Sequence, residues 1–291
     1  MNNITQIDGI RSKLIGTLTD AYKVYKWCDN WYDVYLFRLG VKKTISMKVE
    51  DGKTVKIDSL SRLNAFLSSG EHFLHTAGRY GIKIAPRRVE FNYKGRKIIF
   101  NFNTREELAH TLHMVSEQFI REQYSRLKVE GKDVIDVGAS VGDTAIYFAL
   151  NGAKHVYAFE PDKKACRLAV RNIKSNKLQD RITVINEPCG TKGNSLSSII
   201  QRYEIANSVL KIDCEGCEYG FILGANTEGL KKCDQIILEY HYGYLDIEKV
   251  LKKLGFKVRH TSPKIYNRKG PEGRQAALGI IYADWGKSKI I

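Results

Sequence analysis

Val134-Ile135-Asp136-Val137-Gly138-Ala139-Ser140-Val141-Gly142-Asp143-Thr144 is the stretch that decides the fold. A short apolar run breaks into a turn of small residues and then into a helix-forming segment. Such a turn after a buried strand lets a ligand approach the backbone closely. From Lys132 onward the same pattern repeats. Apolar runs at Asp133–Val137, His155–Phe159, Ile182–Asn186, Ser208–Ile212, Gln235–Tyr240, Lys257–His260 and Ala277–Tyr282 are predicted strands. Helical stretches fall between most of them, at Asp143–Leu150, Lys163–Asn176, Ser195–Tyr203, Glu218–Leu223 and Asp246–Leu254. Alternation of this length predicts right-handed crossovers and a mainly parallel α/β sheet, Rossmann-like, with helices on both faces. No long helix separates the last two runs, so they are expected to pair as an antiparallel hairpin at the sheet edge.

The glycine spacing argues for a particular ligand. The dinucleotide fingerprint is G-x-G-x-x-G, whereas Gly138 and Gly142 form G-x-x-x-G, with Ser140 where the middle glycine would admit a pyrophosphate. Asp136 stands two residues before the first glycine. A carboxylate there repels a diphosphate and suits a ligand bearing an ammonium and a sulfonium, which favours S-adenosylmethionine over a nicotinamide dinucleotide. Ala139, Ser140 and Thr144 complete the turn and the start of the helix. The next run ends Phe159-Glu160-Pro161-Asp162, and Glu160 lies 22 positions after Gly138. An acid at roughly 20 residues' offset reaches ribose hydroxyls. Asn186 and Glu187, at the end of the third run, are the expected adenine edge.

The fourth run ends Lys211-Ile212-Asp213-Cys214-Glu215-Gly216-Cys217-Glu218. Three carboxylates cluster where ligands bind in open α/β sheets. Asp213, Glu215 and Glu218 could hold a divalent cation or lift one another's pKa towards that of a general base. The fifth run ends Glu239-Tyr240-His241, and a histidine leaving a strand at this edge is well placed as a base near neutral pH. Asp213 and His241 are the candidate bases, with Glu215 and Glu218 shaping the acceptor pocket.

These four strand ends, in this order and spacing, resemble the FkbM-type class I S-adenosylmethionine-dependent methyltransferases over about residues 115–262. The resemblance implies a seven-stranded methyltransferase sheet. It also implies methyl transfer, usually to a hydroxyl oxygen of a sugar, glycan or other small metabolite. Cys214 and Cys217 stand where valine and alanine are common.

Composition bounds the rest. The chain has 291 residues, 43% hydrophobic and 27% charged, which is globular. The longest clean apolar stretch, Ala276–Ala283, is far below the roughly 18 residues of a membrane span, and the N-terminus lacks the form of a signal peptide. A cytoplasmic protein is expected. The net charge of +15, spread over both halves, favours anionic partners and keeps RNA in view as an acceptor. Against RNA base methylation, no Asn/Asp-Pro-Pro-aromatic segment follows the fourth run, and Pro188-Cys189 follows the third. A catalytically silent scaffold is the other rival; intact Asp136, Gly138, Gly142 and Glu160 argue against it. The six cysteines are expected as reduced thiols, and zinc on Cys214, Cys217, Cys233 and His241 is disfavoured because no second C-x-x-C exists.

Residues 1–115 are expected as an N-terminal α+β region, a lid or acceptor-selecting element, ahead of a cofactor-binding domain at 116–291. Ile4 to Tyr25 recur at helical spacing, and a second helix carries Trp27, Trp31 and Tyr35. Thr44–Val49 and Thr54–Ile57 are predicted to pair through Asp51-Gly52, and Val89–Tyr93 with Lys97–Phe102 through Lys94-Gly95. A helix is expected near Leu60–Tyr80. Another opens at Thr104, with Glu107 as its capping-box partner, and runs towards Tyr124.

Overall fold

The computed structural model describes residues 31–48, 54–58, 63, 81–190, 193–224, 227–270 and 273–286. The chain divides into two units, Met1–Glu122 and Gln123–Ile291. The helix expected over Ile4–Tyr25, the Asp51-Gly52 turn and nearly all of the helix expected near Leu60–Tyr80 lie outside the described residues.

In the first unit, α1 (Trp31–Arg38) precedes an antiparallel pair, β1 (Ile45–Lys48) and β2 (Thr54–Ile57), with Ile45 opposite Ile57. A meander follows: β3 (Lys83–Ala85), β4 (Arg88–Tyr93) and β5 (Arg96–Asn101). Its buried face packs on one aromatic ring. Phe119 stands edge-on to Phe91 at 5.0 Å, Tyr93 at 5.1 Å and Phe100 at 5.7 Å between centroids, a preferred aromatic geometry. The Thr104 hydroxyl caps α2 (Arg105–Val115), accepting from the Glu107 N–H at 3.2 Å, and the Glu107 carboxylate reaches back to the Asn103 N–H at 2.6 Å. The expected helix does not reach Tyr124: it loosens into a π-helical turn at Ser116–Ile120 and stops.

The second unit holds β6 (Asp133–Val137), α3 (Asp143–Leu150), β7 (His155–Phe159), α4 (Lys163–Ser175), β8 (Ile182–Ile185), α5 (Leu196–Arg202), β9 (Ser208–Ile212), α6 (Cys217–Leu223), α7 (Thr227–Lys231), β10 (Cys233–Tyr240), α8 (Leu245–Lys253), β11 (Lys257–His260), β12 (Lys264–Lys269) and β13 (Gln275–Asp284). The sheet runs β11-β13-β10-β9-β6-β7-β8, with β12 attached to β13 and helices on both sides. Strands β10, β9, β6, β7 and β8 are parallel, and β13 is antiparallel to both β10 and β11. The last two expected strands do pair, but β13 is inserted beside β10 and leaves β11 at the edge. Every residue of β6 and β9 is buried, as central strands covered on both faces require. β12 was not foreseen. Its sequence, Lys-Ile-Tyr-Asn-Arg-Lys, is polar, and Ile265 and Tyr266 are both exposed, so no apolar period marks it.

Candidate active site

The carboxyl ends of β8, β7, β6, β9 and β10 lie side by side, and the residues nominated from the sequence lie at or shortly after these ends. β6 ends in the turn at Gly138, whose φ of +77° is left-handed. A side chain there is excluded for a second reason: a Cβ would lie 1.7 Å from the Asp213 carbonyl oxygen. The turn therefore rests directly on the end of β9, and the Asp213 N–H donates to the Val137 carbonyl at 2.9 Å. Gly138 and Ala139 N–H groups both donate to the Phe159 carbonyl at 3.0 Å, tying the turn to β7 as well.

Glu160 continues this arrangement. Its carboxylate is 9% exposed and accepts from the Ser140 N–H at 2.8 Å and the Asp162 N–H at 2.9 Å, one on each oxygen. A carboxylate has about four acceptor sites, so two remain for a ligand's paired hydroxyls. The residues present thus fit an adenosine cofactor. Asp162 caps α4 instead, accepting from Lys164 and Ala165 N–H groups at 2.9 and 2.8 Å. These bonds, the Ala165 one foremost, hold its carboxyl below the usual range. Pro161 is exposed between them. Asn186 spends its amide on the Glu160 and Pro161 carbonyls, both at 2.9 Å, and Glu187 pairs with Asn194 at 2.7 Å and Arg202 at 3.1 Å. Both side chains brace the rim.

Asp136 departs from its expected part. It is fully buried, and its oxygens lie 2.9 Å from the Lys211 ammonium and 2.5 Å from the Thr144 hydroxyl. Its charge is compensated inside the protein by Lys211, and it secures the turn from beneath. Lys211 is the residue that sequence reasoning passed over. It is opposite Asp136 in the β6–β9 register, 1% exposed, and donates to the Gly138 carbonyl at 2.7 Å. Burial works against its charge, but Asp136 and Asp213 outweigh burial and raise its pKa. A lysine inside the apolar run Val209-Leu210-Lys211-Ile212, matched by an aspartate inside Val134-Ile135-Asp136-Val137, was the available sign. Tyr124 was also missed: wholly buried, it donates its hydroxyl to Asp213 at 3.2 Å.

The second cluster joins β9 to β10. Glu218, in the first turn of α6, is fully buried. One oxygen accepts from the Gly216 N–H at 2.8 Å. The other lies 2.9 Å from His241 Nδ1 and accepts from the His241 N–H at 3.2 Å. An ionised carboxylate only accepts, so Nδ1 carries the proton and Nε2 the lone pair when the ring is neutral. Nε2 lies 3.5 Å from exposed Glu215. Burial pushes the His241 pKa down, but the Glu218 hydrogen bond and the charges of Glu218, Glu215 and Asp213 outweigh it and hold the pKa above the ordinary histidine value. Among the described residues, no group of three or more His, Cys, Asp and Glu side chains is placed to hold a metal ion.

The cysteine expectation needs correction. Cys214 and Cys217 are joined as a disulfide around Glu215-Gly216, while Cys166, Cys189 and Cys233 are free thiols. Burial pushes the Cys189 pKa up to about 12, so it is a poor nucleophile. Alkylation of the denatured protein after reduction should therefore label two more thiols than before reduction, by intact mass. Equal labelling would show that the pair is reduced.

Residues 194–258 match the model of the methyltransferase FkbM domain, and residues 102–222 that of the TRM5/TYW2 methyltransferase domain. Both matched models describe methyltransferase domains. The FkbM match covers the Asp213–Glu218 and His241 ends that carry the resemblance in the sequence. A ribosomal protein L11 methyltransferase from Carboxydothermus hydrogenoformans is 41% identical over 144 residues, 50% of this chain and 45% of that protein. Uncharacterized protein 65 of Sulfolobus islandicus filamentous virus is 31% identical over 118 residues, 40% of this chain and 65% of that protein. The chain thus spans 45% and 65% of the length of these two relatives. Among solved structures, M. capricolum TrmK with S-adenosyl-homocysteine superposes with a TM-score of 0.42 at 18% identity, covering 57% of this chain and 67% of that one. Among the described residues, no helix is long and apolar enough to cross a membrane.

Proposed function

We propose that the protein transfers a methyl group from S-adenosylmethionine to a hydroxyl oxygen on a sugar-bearing acceptor. The observation that carries this reading is the buried His241–Glu218 pair, 2.9 Å apart, beside the turn that Glu160 braces. A hydroxyl must shed its proton as it attacks carbon, and a histidine whose Nδ1–H is fixed by a carboxylate presents Nε2 for that proton. When bound, S-adenosylmethionine supplies a methyl on a sulfonium, already a good leaving group. Glu160 would accept from the ribose hydroxyls, and the Gly138–Gly142 turn would lie against the ligand. Lys211 and Asp136 keep that turn fixed. Glu218 orients His241 and stabilises the imidazolium it becomes; Glu215 at 3.5 Å adds to this. Asp213, held by Tyr124, adds negative charge beside the same proton path.

Calorimetric titration with S-adenosylhomocysteine tests the cofactor half. Glu160→Ala should weaken binding at least tenfold, about 1.4 kcal/mol. Because Glu160 also braces Ser140, Glu160→Gln is the companion: it is expected to weaken binding with an unchanged circular dichroism spectrum. Equal binding by wild type and both variants would refute the site.

A further inference from the structure

We infer that the β12–β13 hairpin is an acceptor-docking arm that fits a single-stranded RNA segment. This deepens the proposed methyl transfer and rests on it for what happens after docking. The β10–β13 pairing ends at Tyr240 opposite Gly279, and the first residues of β13 run on paired with β12, Ile265 opposite Ala277, and bridged once to Tyr242. The hairpin is anchored to the candidate base. The Ala277 N–H donates to the His241 carbonyl at 2.9 Å, and the Gly243 N–H to the Ala277 carbonyl at 3.0 Å. The chain leaving β12 presses on the next residue: a Cβ on Gly270 would lie 1.8 Å from the Tyr242 ring. On the returning side, the Arg274 guanidinium lies 5.6 Å from the ring centre of Tyr219, the neighbour of Glu218.

The arm's chemistry differs from that of the edge it adjoins. Between Lys264 and Arg274 the chain carries Lys264, Arg268, Lys269 and Arg274 against a single acid, Glu272. The strand ends nearby hold Asp213, Glu215 and Glu218. Neighbouring residues of a strand face opposite sides, so exposures of 64% at Ile265 and 44% at Tyr266 place both faces of the arm in solvent. Cations spaced along a strand track a phosphate backbone, and an exposed tyrosine among them offers a stacking surface to an unpaired base. The acids at the strand ends repel phosphates. They leave that position to an uncharged part of the chain, such as a ribose hydroxyl.

The test is fluorescence anisotropy of a labelled single-stranded RNA 12-mer on the full chain across a salt series. The comparison variants are Lys264→Ala/Lys269→Ala and Tyr266→Ala. The double variant should bind at least tenfold more weakly, and its log K against log salt slope should be shallower by about 1.4, from about 0.7 per lost phosphate contact. Tyr266→Ala should weaken binding severalfold with the slope unchanged. S-adenosylhomocysteine affinity should be the same in all of them. No RNA binding by wild type, wild-type binding by both variants, or preference for acidic phospholipid vesicles over RNA would overturn the arm. If cofactor affinity is intact in that case, the methyltransferase reading survives. Loss of cofactor binding with RNA binding intact would instead overturn the proposed function and leave the arm standing.

Discussion

Lys211→Met is expected to destabilise the protein by about 3–5 kcal/mol, because it removes one partner of a buried ion pair and strands the other. Asp136 is fully buried and would keep only the Thr144 hydroxyl, while the Gly138 carbonyl would lose the donor at 2.7 Å. Methionine fills nearly the same volume, so the loss is electrostatic and does not come from a cavity. Urea unfolding followed by circular dichroism measures it. Asp136→Asn in the same chain removes the uncompensated charge and should recover much of the loss. A single-variant loss below about 1 kcal/mol, the range of ordinary surface pairs, would mean that the ammonium is not what holds the turn. The same variant should weaken S-adenosylhomocysteine binding, since the Gly138 turn is set by the bonds that Lys211 makes.

His241→Gln is expected to slow single-turnover methyl transfer by about 10²–10⁴-fold, the usual range for a positioned acid or base. Cofactor affinity should be unchanged. The pH dependence separates a base from a residue that merely packs. The folded pKa of His241 lies above its ordinary value, so the ring is charged at lower pH and becomes the neutral acceptor only as pH rises through that raised value. Transfer should therefore increase with pH along a limb set by His241. Glu218→Gln removes the hydrogen-bonded charge that raises this pKa, so the limb should move to lower pH and the plateau should fall. Stability follows the same linkage. The imidazolium–Glu218 attraction contributes fully below the unfolded histidine pKa and is lost as pH rises through the folded one. Glu218→Gln should weaken that dependence, leaving the smaller contributions of Glu215 and Asp213. A His241 Hε1 resonance titrating at the same pH with and without Glu218 would contradict the pairing.

How far these residues were legible depends on how local their physics is. The strand-turn-helix at Val134–Thr144, the acid at Glu160 and the carboxylates at Asp213–Glu218 were read from the chain because each sits where a buried run ends, and periodicity marks that boundary. Asp136 was noticed, but its buried pairing was not. Its partner Lys211 lies 75 positions away, and only the β6–β9 register brings the two together. β12 left no trace because a strand exposed on both faces has no apolar period.

The sequence by itself determined the alternating fold and the edge at which its loops converge, because hydrophobic period and turn chemistry act over a few residues. Only the tertiary structure decided what each charged group does there. It paired Asp136 with Lys211, Glu218 with His241 and Asp213 with Tyr124, closed Cys214 onto Cys217, and placed the basic hairpin against Tyr242. Burial fixes those roles: a charge removed from water takes whichever partner the packing brings within reach, and packing is settled between strands far apart in the chain.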